Sequence, residues 1–188
     1  NVFPVPITLG LLIEDFESGS FTSFDWIQGG DAEWTIDSDS YSGNYSAKSG
    51  TISHNQTSEL SIELNILYEG ETSFWAKASS EQSGTGNIYD YLEFYINDES
   101  QDLTIGGTSD WTEYTVNIPV GEHSLRWVYM KDGAQSSGQD CAWIDRIVFP
   151  TGSVPPLNIN FGDINLDGSV SIFDVILTVN YVIGYFDF

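Results

Sequence analysis

Between residues 11 and 149 the sequence alternates with period two in short runs, and clusters of Gly, Ser, Asn and Asp break those runs at close intervals. This pattern admits antiparallel strands joined by tight turns and leaves no room for a long helix. In Tyr91-Leu92-Glu93-Phe94-Tyr95-Ile96 the residues Leu92, Phe94 and Ile96 fall on one face, and Leu125, Trp127 and Tyr129 repeat the alternation. Further strands are predicted over 12–17, 33–36, 58–66, 72–78, 113–118 and 142–149, bounded by turns such as Glu69-Gly70, Gly106-Gly107 and Val120-Gly121. About eight to ten such strands must bury one face of each sheet on another layer, so the expected fold is all-β, a two-sheet antiparallel sandwich.

Charge restricts the partners of such a sandwich. Five Lys+Arg stand against 28 Asp+Glu, a formal net charge of −23, and a chain this acidic is repelled by phosphate backbones and anionic lipid surfaces. Nucleic acid is excluded; divalent cations and neutral ligands remain. The aromatic content of 14% provides the side chains a folded core needs and rules out a disordered acidic tail. Cys141 is the one cysteine; it can form no internal disulfide, matches no metal-ligand spacing, and is expected to be a buried, inert thiol. No stretch reaches the ~20 apolar residues of a membrane span. The opening Asn1-Val2-Phe3-Pro4-Val5-Pro6 has no initiator Met and no basic or apolar leader, so a processed product or fragment is expected, with its targeting signal outside it. Surplus acid, scarce Lys and abundant Ser, Thr, Gly and Tyr suggest an extracellular or cell-surface protein.

Four regions follow from this organisation: an extended arm over 1–10, the sandwich over 11–150, a linker over 151–160 and a separate element over 161–188. The linker reading rests on Pro150, Pro155 and Pro156, which remove donors and stiffen the backbone. In the last region Phe173, Val175, Ile176, Val179, Val182 and Ile183 recur at helical spacing, and Gly184 stands where a C-cap would. A helix over 172–183 would be apolar around most of its circumference. It must dock on the sandwich, pair with a second copy beyond Phe188, or pack on another subunit.

Directly before that helix, residues 163–174 place Asp163, Asn165, Asp167, Ser169, Ser171 and Asp174 at loop positions 1, 3, 5, 7, 9 and 12, with Gly168 at position 6. Calcium takes six to eight hard oxygens, and a tightly curled loop turns alternate side chains inward to meet it. Asp163, Asn165 and Asp167 would ligate directly, Ser169 through its carbonyl, Ser171 directly or through water, and Asp174 with both oxygens. The competing reading is a solvated turn that caps the helix, with Asp174 serving the helix dipole.

The stretch 162–184 resembles one repeat of a type I dockerin, in which the calcium loop leads straight into a helix. Dockerins carry two such repeats, and one is present here. In cellulosomal dockerins, loop positions 10 and 11 are small and hydroxylated and help recognise cohesin; here Ile172 and Phe173 occupy them, which argues against cohesin binding and for burial in an intramolecular or intersubunit contact.

Asp15-Phe16-Glu17, Trp34, Tyr41-Ser42-Gly43, Ser79-Ser80-Glu81, Tyr89-Asp90-Tyr91-Leu92, Trp127-Val128-Tyr129 and Ala142-Trp143-Ile144-Asp145-Arg146-Ile147 together resemble the MAM-like jelly-roll modules of secreted bacterial proteins. These include the cleaved adhesin domains of gingipain-type proteases, and the resemblance covers residues 11–150. It implies a jelly-roll sandwich, a non-catalytic role in adhesion or carbohydrate binding, and a structural calcium between first and last strands, with Glu17, Asp31 and Asp145 as candidate ligands. Asp145 could instead pair with Arg146 or cap a turn.

Catalysis finds no foothold. A concanavalin-like glycosidase needs two carboxylates at alternate inward positions of one strand; Glu14-Asp15-Phe16-Glu17 offers acids without that alternation. His54 lies in a polar turn, His123 follows Gly121-Glu122, and no Gly-x-Ser-x-Gly elbow is present. A sugar-binding face would show exposed aromatic rings, for which Trp26, Trp75, Tyr95, Trp111 and Tyr114 are candidates; each could equally belong to the core. Asn44 and Asn55 head glycosylation sequons in polar turns. Two functions follow. One is an extracellular calcium-binding adhesion or carbohydrate-binding module engaging a glycan or other extracellular ligand. The other is a protomer of a fibre or surface layer, self-associating head to tail into filaments through the apolar arm and the unpartnered helix.

Overall fold

A computed structural model describes residues 11–156. The described chain is all-β, with no helix among the described residues and therefore none long and apolar enough to cross a membrane. In chain order the strands are β1 (Ile13–Glu14), β2 (Ile27–Gly30), β3 (Thr35–Asp37), β4 (Ser46–Lys48), β5 (Thr57–Ile66), β6 (Gly70–Ser79), β7 (Tyr91–Ile96), β8 (Glu99–Gly106), β9 (Thr112–Ile118), β10 (Gly121–Met130), β11 (Cys141–Val148) and β12 (Ser153–Val154). One sheet runs β3-β4-β11-β6-β9, with β1 also on β11; the other runs β12-β5-β10-β7-β8, with β2 also on β5. Every pairing is antiparallel, consistent with a jelly-roll sandwich.

The alternation seen in the sequence sets which residues meet between the sheets. Along β5 the residues Leu60, Ile62, Leu64 and Ile66 are buried; along β7 Leu92, Phe94 and Ile96; along β10 Leu125, Trp127 and Tyr129. Phe74 crosses from the first sheet to complete an aromatic centre with Phe94 and Trp127, at centroid separations of 5.2 Å (Phe74–Phe94), 5.4 Å (Phe74–Trp127) and 4.9 Å (Phe94–Trp127). At such spacings aromatic rings gain about 0.5–1.5 kcal/mol per pair beyond the area they bury.

The long strands other than β8 lie where the sequence places them, and the short ones do not. The predicted run 12–17 shrinks to β1, because Phe16 takes a left-handed backbone (φ 55°) and turns the chain out of the ladder. The predicted run 33–36 moves to β3. Strands β2, β4, β8 and β12 were not expected. The last of these alters the linker reading: Ser153 and Val154 pair with Ile66 and Asn65 of β5, so the chain past Pro150 still belongs to the second sheet, while 157–160 lie outside the described residues. Cys141 is buried as expected, and burial pushes its thiol up to about 11, which keeps it an unreactive thiol at neutral pH.

Candidate functional site

Strand β11 carries the key local irregularity. Its ladder with β6 shifts register between Asp145 and Val148, and Arg146 sits at φ 45°. A bulge of this kind bends a strand and re-aims a side chain. On the opposite edge, β11 pairs with β4 at Trp143 and Ile144 and with β1 at Ile147 and Val148. Asp145 falls in the break between those two neighbours, where the 41–45 turn closes in.

Asp145 is fully buried. Its Oδ2 accepts the Tyr41 N–H (2.8 Å) and the Ser42 N–H (2.9 Å), and its Oδ1 accepts the Arg146 N–H (2.6 Å). Burial outweighs these three donors and, with the Glu17 charge adding to it, pushes the carboxyl up to about 6. Glu17 holds the other side of the turn: its Oε1 accepts the Asn44 N–H (2.7 Å) and the Tyr45 N–H (2.8 Å), and its Oε2 accepts Asn44 Nδ2 (2.9 Å). Those bonds, led by the Asn44 side chain, hold the Glu17 carboxyl below its ordinary value. Between them Gly43 (φ 73°) leaves no room for a side chain, since a Cβ there would lie 2.4 Å from the Glu17 carboxylate.

The clasped turn lays Tyr41 flat on Trp75, with centroids 3.5 Å apart and planes 7° from parallel. Trp111 stands 6.4 Å from Tyr41 at 59°. Lys77 lies over Trp111 (5.1 Å) and over Trp143 (4.6 Å), and Lys48 covers Trp143 from 5.3 Å. Each ammonium has a carboxylate partner, Lys77 with Asp39 and Lys48 with Asp37. The outer face of the first sheet thus carries an aromatic shelf in an ionic frame, with Tyr41 at its solvent-facing edge and 40% exposed. A planar ring can stack on the apolar face of a sugar, and the paired Lys77 and Asp39 beside Trp111 carry groups able to bond hydroxyls.

Of the five aromatic candidates, Trp75 and Trp111 meet on this shelf. Trp26 instead packs against Phe16 (6.0 Å) and Trp127 (5.9 Å), and its Nε1 donates to the buried Glu14 (3.0 Å), so it is a core residue. Tyr114 stacks on Phe74 at 5.8 Å and also packs on the core. Tyr95 lies on the other sheet under Arg126 (5.0 Å), and its hydroxyl donates to Glu93 (2.6 Å); burial, reinforced by Glu93, pushes it up to about 12. The three candidate calcium ligands do not gather: Glu17 and Asp145 share the 41–45 turn, whereas Asp31 accepts the Thr57 N–H (2.9 Å) and Gln56 Nε2 (3.3 Å) at the head of β5. Asn44 is bonded to Glu17, and Asn55 is an exposed turn residue at φ 58°. His123 is engaged by Asn97 Nδ2 (2.8 Å) and the Pro119 carbonyl (3.0 Å). The loop ligands Asp163, Asn165, Asp167, Ser169, Ser171 and Asp174 lie outside the described residues, as do the 172–183 helix and the N-terminal arm. Tyr41 was missed as a ligand candidate, although Tyr41-Ser42-Gly43 is a recognisable turn.

Comparison with known proteins comes from structure alone: no family model matches the sequence, and no curated protein matches it. The K1 cleaved adhesin domain of Lys-gingipain from Porphyromonas gingivalis W83 superposes with a TM-score of 0.54 at 16% identity, covering 76% of this chain and 99% of that one. The K3 cleaved adhesin domain of the same protein gives 0.51 at 15%, covering 73% and 97%. A structure of carbohydrate-binding modules from the β-sandwich superfamily, described for their promiscuous specificity, gives 0.50 at 16%, covering 71% and 59%. At these identities the similarity is one of fold: 71–76% of this chain shares the sandwich of the gingipain cleaved adhesin domains and of those carbohydrate-binding modules.

Proposed function

We propose that this protein is a non-catalytic, extracellular calcium-binding module that adheres to or binds carbohydrate, and that the shelf of Tyr41, Trp75 and Trp111 is where a sugar ring stacks. The observation that carries this reading is the Tyr41–Trp75 stack at 3.5 Å, held at the surface by a buried acid and framed by lysine–carboxylate pairs. The fold shared with adhesin and carbohydrate-binding modules supports it. A net charge of −23 disfavours acidic polysaccharides by long-range repulsion, so neutral glycans are the expected class. A glycan array followed by titration calorimetry tests this. Trp111→Ala and Tyr41→Ala should each weaken the selected glycan on the order of tenfold or more, which corresponds to about 1.4 kcal/mol, with the melting profile retained. Tyr95→Ala, on the other sheet, should leave affinity unchanged; equal affinity in all four proteins would sink the assignment.

Calcium belongs to this reading in two places. The 163–174 loop has the ligand spacing for it. Glu17 and Asp145 offer two carboxylates to one turn with no basic side chain facing Asp145, a donor set that fits a hard cation if carbonyls of the turn supply the remaining oxygens. In the loop, converging acids repel one another when metal-free, which couples binding to order. Chelator should therefore expose 161–188 to limited proteolysis while the sandwich stays folded. An unchanged digestion pattern counts against calcium in the loop.

A further inference from the structure

At one end of the second sheet three loops converge. Met130 of β10 pairs with Thr57 of β5 on one side and with Tyr91 of β7 on the other, so the residues just beyond these strand ends are forced together. Asp132 N donates to Asp90 Oδ1 (2.9 Å), and Asn55 N donates to the Asp132 carbonyl (2.8 Å). Across the β6–β7 loop, Ser80 Oγ donates to the Asp90 carbonyl (2.6 Å), and Tyr89 N to the Glu81 carbonyl (3.3 Å). These bonds fix Glu81, Asp90 and Asp132 with a carboxylate oxygen of each within 4.8 Å of the others.

Two of the three are buried, Asp90 fully and Glu81 to 8% exposure. Asp90 Oδ2 and Glu81 Oε2 have no hydrogen-bond partner. Among the described residues Lys131 supplies the ammonium close by, its Nζ 3.7 Å from Asp90 Oδ2 and its hydrogen bonds going to Asp140 and to Ser136 (2.8 Å), and the His54 ring is a second basic group that acts on Glu81. Glu81, Asp90, Asp132 and Asp140 therefore face a single ammonium. An ionised carboxylate buried without a partner is costly, and a shell of carboxylate oxygens with no nitrogen or sulfur ligand suits a hard divalent ion.

We infer that Glu81, Asp90 and Asp132 form a binding site for a divalent cation, calcium in particular, which ties the 80–90 loop to the 131–140 loop. Burial first, then the mutual charge of the acids, holds the Glu81 carboxyl above its ordinary range, and burial does the same to Asp90; a bound cation removes that penalty. Glu81, Asp90 and Asp132 belong neither to the sugar shelf nor to the 163–174 ligand set.

The test uses the full chain carrying Asp163→Ala and Asp167→Ala, which silence the C-terminal loop. Calorimetric titration with calcium chloride and melting curves, in calcium and in excess chelator, are then compared with and without Glu81→Gln. The parent should keep binding calcium and melt roughly 5–10 °C higher at a hundredfold excess over Kd. Glu81→Gln should lose one bound calcium per chain and cross the parent, melting higher in chelator because a buried charge is gone and lower in calcium. Asp132→Asn, at the more open ligand, should lose the same equivalent and serves if Glu81→Gln does not fold. Unchanged stoichiometry in a folded variant overturns the site. So does an equal rise in melting temperature in both media, which would mean carboxyls that share a proton and hold no metal.

Discussion

Replacing Asp145 with alanine should lower the stability of the sandwich by about 2–4 kcal/mol and release the 41–45 turn. The substitution orphans the N–H groups of Tyr41, Ser42 and Arg146, and a buried donor left unmade costs about 1–3 kcal/mol. The buried carboxylate is itself a cost, since its carboxyl is pushed up to about 6, so the three losses are offset in part. At ~2–4 °C per kcal/mol for a chain of this size, the melting temperature should fall by roughly 5–15 °C. Affinity for the shelf ligand should fall with it, because Tyr41 is placed on Trp75 by this acid. An Asp145→Ala protein that melts like the parent and binds as well would show that the turn holds without its clasp.

The pH dependence of the same residue has a definite sign. In the metal-free protein the folded carboxyl titrates near 6, above the ~3.9 of an unfolded Asp, so the folded state keeps a proton that the unfolded chain gives up. That contribution is fully present below about pH 4 and is lost as pH rises through 6. The stability gap between wild type and Asp145→Asn should accordingly be widest near pH 4 and narrow towards pH 7, as urea midpoints across that range would show. Calcium held by Glu17 and Asp145 would favour the ionised form and reverse the slope, so repeating the series in calcium reads the occupancy of that pair directly.

Lys131→Met is the second large effect. The Lys131 ammonium is 1% exposed and answers Asp140 and Asp90 at once. Removing one partner of a buried ion pair leaves the other charge uncompensated, at about 3–5 kcal/mol. In excess chelator the urea midpoint should fall accordingly. Calcium should recover part of the loss, and bind more tightly than to wild type, because a competing positive charge has left the cluster. Lys131→Arg should recover little, since a planar guanidinium does not fit a pocket shaped for a compact ammonium. An unshifted urea midpoint for Lys131→Met would mean that the cluster is already neutral.

The strands that proved legible are those in which burial alternates over many residues, such as β5, β7 and β10. Most strands that were not legible are two to four residues long, β1, β2, β4 and β12 among them; these carry no period of their own and form because β11 and β5 offer open edges, while the longer β8, also missed, forms on the edge of β7. The aromatic candidates divide in the same way. Lys77 shares the parity of Trp75, and Glu93 that of Tyr95, so a charged neighbour two residues away already marks both rings as outward-facing. Trp26 and Trp111 lie outside regular strands, and nothing local distinguishes the one that packs on Trp127 from the one that flanks Lys77.

The sequence by itself determined the all-β character, the inward residues of the long strands and the ligand spacing of the 163–174 loop, because period-two burial and a twelve-residue loop are properties of neighbouring positions. Tertiary structure alone decided that Asp145 clasps a turn 104 residues away in sequence at Tyr41, that Tyr41 lies on Trp75, and that Glu81 and Asp90 meet Asp132. Those juxtapositions depend on strand register and on which strand ends close together, and a slip of one residue would exchange every inward side chain for its outward neighbour.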